Sequence, residues 1–149
     1  MSNLDVSVVK SLLTAEEGDV RANVLNAFSY IRLTLGENSW VGLYRKEKDG
    51  LHLSYFSGSV ACLFIAFGRG VVGESYVSEK EIYVPDVLTL KNYIACDAKS
   101  KSEYVVPVIK DGEIKAIFDI DSDRLDGLKD DVPALREIGS LLGELLNDF

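Results

Sequence analysis

Histidine is nearly absent from this 149-residue chain, which has only His52. That residue alternates with Leu51 and Leu53, the pattern of a solvent-facing strand position, so a Cys–His catalytic pair and a His-rich metal centre are both disfavoured. Cysteine is scarce too. Cys62 and Cys96 are too few for a secreted disulfide framework and lack the CxxC spacing of a zinc site. Positive charge is in deficit, with 16 Lys and Arg against 24 Asp and Glu for a formal charge of -8. Such a surface repels phosphate backbones and anionic lipid, so neither nucleic acid nor membrane is an expected partner. No apolar run approaches the roughly 18 to 20 residues of a spanning helix. Met1 to Val9 shows no basic stretch followed by an apolar one, so no signal peptide is read and a cytoplasmic location is expected.

What is present is apolar material for a core: 47% hydrophobic residues against 27% charged. The length suits one domain spanning 1–149, with no repeat, linker or low-complexity segment. Helical periodicity predicts a first helix over 6–13, a break over 14–18, and a long amphipathic helix over 19–35 that Gly36 stops. The period then changes. Residues 40–44 and 51–56 read as strands joined through Asp49-Gly50, Cys62 to Phe67 as a short apolar strand, and Val71 to Val77 as a helix opened by Gly68-Arg69-Gly70. Ile82 to Val84 is a brief strand, and Leu88 to Lys101 a long loop of the kind that is often functional. Glu103 to Ile109 and Glu113 to Ile120 flank Asp111-Gly112 as a second hairpin. Asp130-Asp131 are placed to cap a last helix with Pro133 in its first turn and Leu135, Ile138, Leu141, Leu142 and Leu145 on one face. The class is α+β, with the terminal helices together on one side of a mixed sheet and enough residual apolar surface for a possible homodimer.

Asp119, Asp121 and Asp123 recur at period two and would share one face of a strand. The plain reading is a solvated strand end. A calcium loop fails, because Arg124 stands where the motif wants Gly and Asp130 where it wants Glu. Glu103 begins the partner strand and could join the same face, and crowded carboxylates raise one another's pKa until one can donate a proton near neutrality. Cys96 lies in a polar loop beside Asp97, Lys99 and Lys101. It is read as more exposed than a core cysteine and open to thiolate formation. Cys62, in an apolar run, reads as core packing. Trp40, Tyr44 and Tyr93 either line a small-molecule pocket or pack in the core.

Taken in order, Ala61-Cys62, Ile65-Ala66-Phe67-Gly68-Arg69-Gly70-Val71-Val72-Gly73, Val84-Pro85-Asp86-Val87, Ile94-Ala95-Cys96-Asp97, Ser102-Glu103-Tyr104-Val105-Val106-Pro107 and Asp119-Ile120-Asp121 resemble the free methionine-R-sulfoxide reductases, single GAF-domain enzymes. The resemblance runs from about residue 20 to 145. It implies a GAF fold, a central antiparallel sheet with helices on both faces, often dimeric. It implies that Cys96 is the catalytic cysteine and Cys62 a second cysteine able to pair with it. Glu103, Asp119 and Asp121 would hold the substrate, and Trp40 and Tyr44 would wall the pocket. Free methionine sulfoxide would be the substrate and a thioredoxin-like dithiol the reductant, with no metal or organic cofactor required. Two positions depart from the family pattern: Val72 stands where a resolving cysteine is usual, and Tyr93 where histidine is common. Val72 opens a second reading, a GAF module that binds or senses a small molecule with little turnover.

Overall fold

The computed structural model describes residues 1–91, 93, 96 and 99–149. Six antiparallel strands form one sheet: β1 Trp40–Lys46, β2 Leu51–Ser57, β3 Phe64–Ile65, β4 Ile82–Val84, β5 Ser102–Lys110 and β6 Glu113–Ser122. Their order across the sheet is β3-β2-β1-β6-β5-β4. The alternation of each central strand sorts its side chains into two cores. Val41, Leu43, Tyr104, Val106, Phe118 and Ile120 face the helices α1 Val6–Leu13, α2 Val20–Leu35 and α4 Val132–Leu145. Trp40, Tyr44, Val105 and Ile117 face the other way and pack with Val71 and Val72 of α3 Gly70–Ser78. Helices therefore cover both faces of an antiparallel sheet, and α1 packs on α4 as the sequence led one to expect.

Local chemistry sets the element ends. Asp19 accepts a hydrogen bond from the Ala22 N–H at 2.8 Å, and Asp5 one from Ser7 N–H at 2.9 Å, satisfying first-turn donors of α2 and α1. Asp111 and Gly112 both have positive φ, 55° and 77°, as the β5–β6 turn requires. Three expectations are corrected. The strand expected over Cys62 to Phe67 shrinks to Phe64–Ile65: the Leu63 carbonyl accepts from Leu53 N–H, and Ala66 already begins the turn that opens α3. Asp131 stands at the start of α4 yet makes no side-chain cap, because it continues a 3-10 turn over Lys129–Asp131 in helical conformation. Its carboxylate accepts from the Ser2 hydroxyl instead. Asp123 falls beyond β6 and accepts from the Asn38 side-chain amide at 3.2 Å, so it does not share the face of Asp119 and Asp121.

Leu88 to Lys101 begins with a 3-10 turn over Val87–Thr89. Asn92, Ile94, Ala95, Asp97 and Ala98 of that expected loop, and with them most of the Ile94-Ala95-Cys96-Asp97 motif, lie outside the described residues. Among the described residues no helix is long and apolar enough to cross a membrane. Val20, Leu25 and Leu33 of α2 remain exposed.

Candidate functional site

The pairing register builds the site. Asp121 of β6 stands between Trp40 of β1 and Glu103 of β5, and one row further along Asp119 stands between Gly42 and Val105. Strand alternation puts Trp40, Tyr44, Glu103, Asp119 and Asp121 on the α3 side of the sheet, where with Arg69, Val71, Val72, Tyr93, Cys96 and Ser100 they line one pocket of about 500 Å³ including its open mouth. Glycine at 42 leaves the space that the Trp40 indole occupies.

The acidic residues are not a solvated strand end. Glu103 is 6% exposed and Asp119 4%, because β6 runs through the middle of the sheet and α3 covers this face. One carboxylate oxygen from each of Glu103, Asp119 and Asp121 lies within 4.8 Å of the others. That spacing suits a small cation or an ammonium group. Burial is the main cause raising Glu103 well above the ordinary carboxylate range, followed by the charge of Asp119 and the hydrogen bond between the two. Asp119 is likewise raised, first by burial and then by the charge of Asp121, while its hydrogen bond with Glu103 pulls the other way. A hydrogen bond between two carboxyl groups needs a proton on one of them, and burial raises both, so the pair holds a proton between them. Asp119 Oδ1 is buried without a hydrogen-bond partner among the described residues, an arrangement costly unless a ligand group fills it.

The aromatic wall is held rigidly. Trp40 donates its indole N–H to the Ser59 carbonyl at 3.0 Å and stacks on Phe56 and Tyr44, with centroids 5.6 and 6.1 Å apart. Tyr44 donates its hydroxyl to the Cys62 carbonyl at 3.0 Å, and burial with three nearby carboxylates pushes its pKa far up, so it stays a neutral donor. Both aromatics are core and pocket lining at once. A Cβ on Gly42 would run into the Trp40 indole and lie 2.9 Å from Phe56 Cβ. Gly42→Ala is therefore expected to displace the indole at a cost of about 1–3 kcal/mol. Trp40 is the sole tryptophan, so a shifted emission maximum together with a lowered Tm reads the change directly.

Cys62 and Cys96 form a disulfide with Cα atoms 5.5 Å apart. Neither is an inert core thiol: both are half-buried, and Cys96 lines the pocket. The core-packing reading of Cys62 is thus replaced by a covalent one. Val72, 3% exposed, lines the same pocket from the first turn of α3. Tyr93 also lines it, with its pKa raised chiefly by burial. His52 is half-exposed and pairs with Asp49 at 2.8 Å. Arg69 and Ser100 were not anticipated as pocket residues. Ser100 donates to Asp121 at 3.4 Å, and the signal for Arg69 was a lone cation between two glycines at a helix start.

Known proteins resemble the chain in sequence and fold. The sequence profile of the GAF domain matches residues 17–147. The Bacillus subtilis protein YtsP is 45% identical over 112 residues, covering 74% of this chain and 69% of its own. The free methionine-R-sulfoxide reductase of Escherichia coli is 34% identical over 135 residues, covering 90% of this chain and 82% of its own. The X-ray structure of the Neisseria meningitidis free methionine-R-sulfoxide reductase in complex with its substrate superposes with a TM-score of 0.79 at 31% identity, covering 94% of this chain and 86% of that one.

Proposed function

The chain belongs to the GAF-domain family and, within it, to the free methionine-R-sulfoxide reductases, and on that premise we propose that it reduces free L-methionine-R-sulfoxide to methionine. The observation that carries the reading is the Cys62–Cys96 pair beside a pocket holding a buried carboxyl pair whose pKa values are raised. Reducing a sulfoxide takes a soft nucleophile at sulfur and a proton for the departing oxygen. The Cys96 thiolate attacks the substrate sulfur, Glu103 protonates the oxygen, and in the adduct that oxygen migrates from the substrate sulfur to the Cys96 sulfur as the transient S–S bond breaks. Methionine leaves, and Cys96 is left as a sulfenic acid. The Cys62 thiol then attacks the Cys96 sulfur, releasing water and forming the disulfide, which a thioredoxin-like dithiol reduces. Asp119 and Asp121 hold the substrate ammonium, while Trp40 and Tyr44 wall its S-methyl end.

Val72 suggested a binding module without efficient turnover. The disulfide supports the enzyme instead, since a partner for Cys96 is present without a cysteine at 72. We place the reaction in the cytoplasm, where reduced dithiols are plentiful. A homodimer would have the exposed Val20, Leu25 and Leu33 of α2 to cover, and sedimentation velocity showing only monomer at high concentration would remove it. The function is tested by thioredoxin-coupled turnover. The R epimer of free methionine sulfoxide should be consumed, and the S epimer and peptide-bound sulfoxide left untouched. Equal rates on both epimers, or none on either, overturn the reading.

A further inference from the structure

Cys62 sits in a stretch of chain that belongs to no strand or helix, residues 58–63 between β2 and β3. Hydrogen bonds fasten that stretch to its neighbours. Leu53 N–H donates to the Leu63 carbonyl at 2.9 Å, the Trp40 indole N–H to the Ser59 carbonyl at 3.0 Å, and the Tyr44 hydroxyl to the carbonyl of Cys62 itself at 3.0 Å. Tyr44 has a single hydroxyl proton to give. Glu103, Asp119 and Asp121 line the same pocket, and a carboxylate is a stronger acceptor than a backbone carbonyl, yet that proton goes to Cys62. The Tyr44 side chain is 2% exposed and stacks on Trp40, so its hydroxyl is held in place.

A disulfide closes only over a narrow range of Cα separations, and for this pair the separation is 5.5 Å. Where the backbone of one partner is free to wander, closing the bond costs the entropy of placing it. We propose that Tyr44 is a positioning residue: its hydrogen bond to the Cys62 carbonyl holds the Cys62 thiol within reach of Cys96 in the reduced protein, and so sets both the rate and the equilibrium of disulfide closure. Its part in turnover rests on the reductase reading, whereas the hold on Cys62 does not. The ring that walls the pocket thus also places the thiol that ends the first turnover.

The equilibrium is read without substrate. Two glutathione thiols reduce the Cys62–Cys96 bond to two protein thiols and leave one glutathione disulfide, so titration with the glutathione couple gives the effective concentration of Cys62 at Cys96. Tyr44→Phe keeps the ring and removes the donor, and should lower that effective concentration about fivefold, the size of one neutral hydrogen bond. Tyr83→Phe removes a phenol that donates to Asp126 from β4, at the opposite edge of the sheet, and should leave it unchanged. In single turnover at saturating free methionine sulfoxide, the Cys96 sulfenic acid trapped with dimedone at timed intervals should persist about fivefold longer in Tyr44→Phe. Should that variant not fold, Trp40→Phe removes the neighbouring tether at Ser59: a lowered effective concentration supports the positioning role, and an unchanged one ends it. A folded Tyr44→Phe with the wild-type effective concentration or the wild-type sulfenic acid lifetime, or an equal fall in Tyr83→Phe, overturns the proposal even if its Tm is lowered. A fall confined to Tyr44→Phe in a protein that turns over no free sulfoxide would leave the positioning role standing and remove the reductase reading.

Discussion

Cys96→Ser should abolish reduction of free methionine sulfoxide in both single and multiple turnover, a loss above about a thousandfold, because serine lacks the nucleophilicity that attack at sulfur needs. The variant also loses the disulfide, a stabilisation of about 2–4 kcal/mol, so its Tm is compared with that of the reduced wild type. A cooperative melt near the reduced wild-type value shows that the fold survives. Cys62→Ser should behave differently, releasing one methionine per chain and then stopping with thioredoxin, since the Cys96 sulfenic acid has no internal partner. The Cα separation of 5.5 Å in the closed pair lies within the range a disulfide accepts. Val72→Cys places a new thiol in the pocket beside Cys96 and should let the Cys62→Ser chain cycle again. Wild-type activity in Cys96→Ser would remove the nucleophile assignment. Normal thioredoxin cycling in Cys62→Ser would leave Cys62 a structural cysteine and hand the sulfenic acid to an external thiol.

How much of this was legible in the residues differs from element to element. The β5–β6 hairpin was plain, because Asp111-Gly112 supplies two positive φ residues between alternating apolar runs. Alternation also put Glu103, Asp119 and Asp121 on one face. It could not tell that the face was buried, since that depends on β6 pairing with the distant β1 and on α3 folding over the sheet. The same blindness to long-range pairing hid Asp123, which leaves the strand one residue after Ser122 to meet Asn38. Cys62 looked like core because its neighbours are apolar. In three dimensions Val60 and Leu63 are exposed, and the segment is tied down by the bond to Cys96 and by Tyr44. Arg69 carried no signal beyond its two glycines, because a cation acquires meaning only from the acids that face the same cavity.

Those acids make the second large prediction, in the pH dependence of Glu103→Gln. Below the ordinary glutamate value of 4.5, folded and unfolded chains both hold the Glu103 proton. Above it the unfolded chain gives the proton up while the native chain keeps it, so stability falls as pH rises and levels off only beyond the raised native value. Glutamine has the same shape, carries no titrating proton, and can still donate to Asp119. The variant should therefore lose that decline, and its Tm relative to the wild type should improve as pH rises from about 5 to 8. Activity should move the other way. A positioned general acid contributes about a hundredfold or more, so kcat should drop by that factor in Glu103→Gln and lose the alkaline fall that ionisation of Glu103 imposes on the wild type. Asp119→Asn tests the same pair from its accepting side: without the neighbouring negative charge, the alkaline fall should shift to lower pH. A Glu103→Gln enzyme within threefold of the wild type, with its alkaline limb unchanged, would assign the proton to another group.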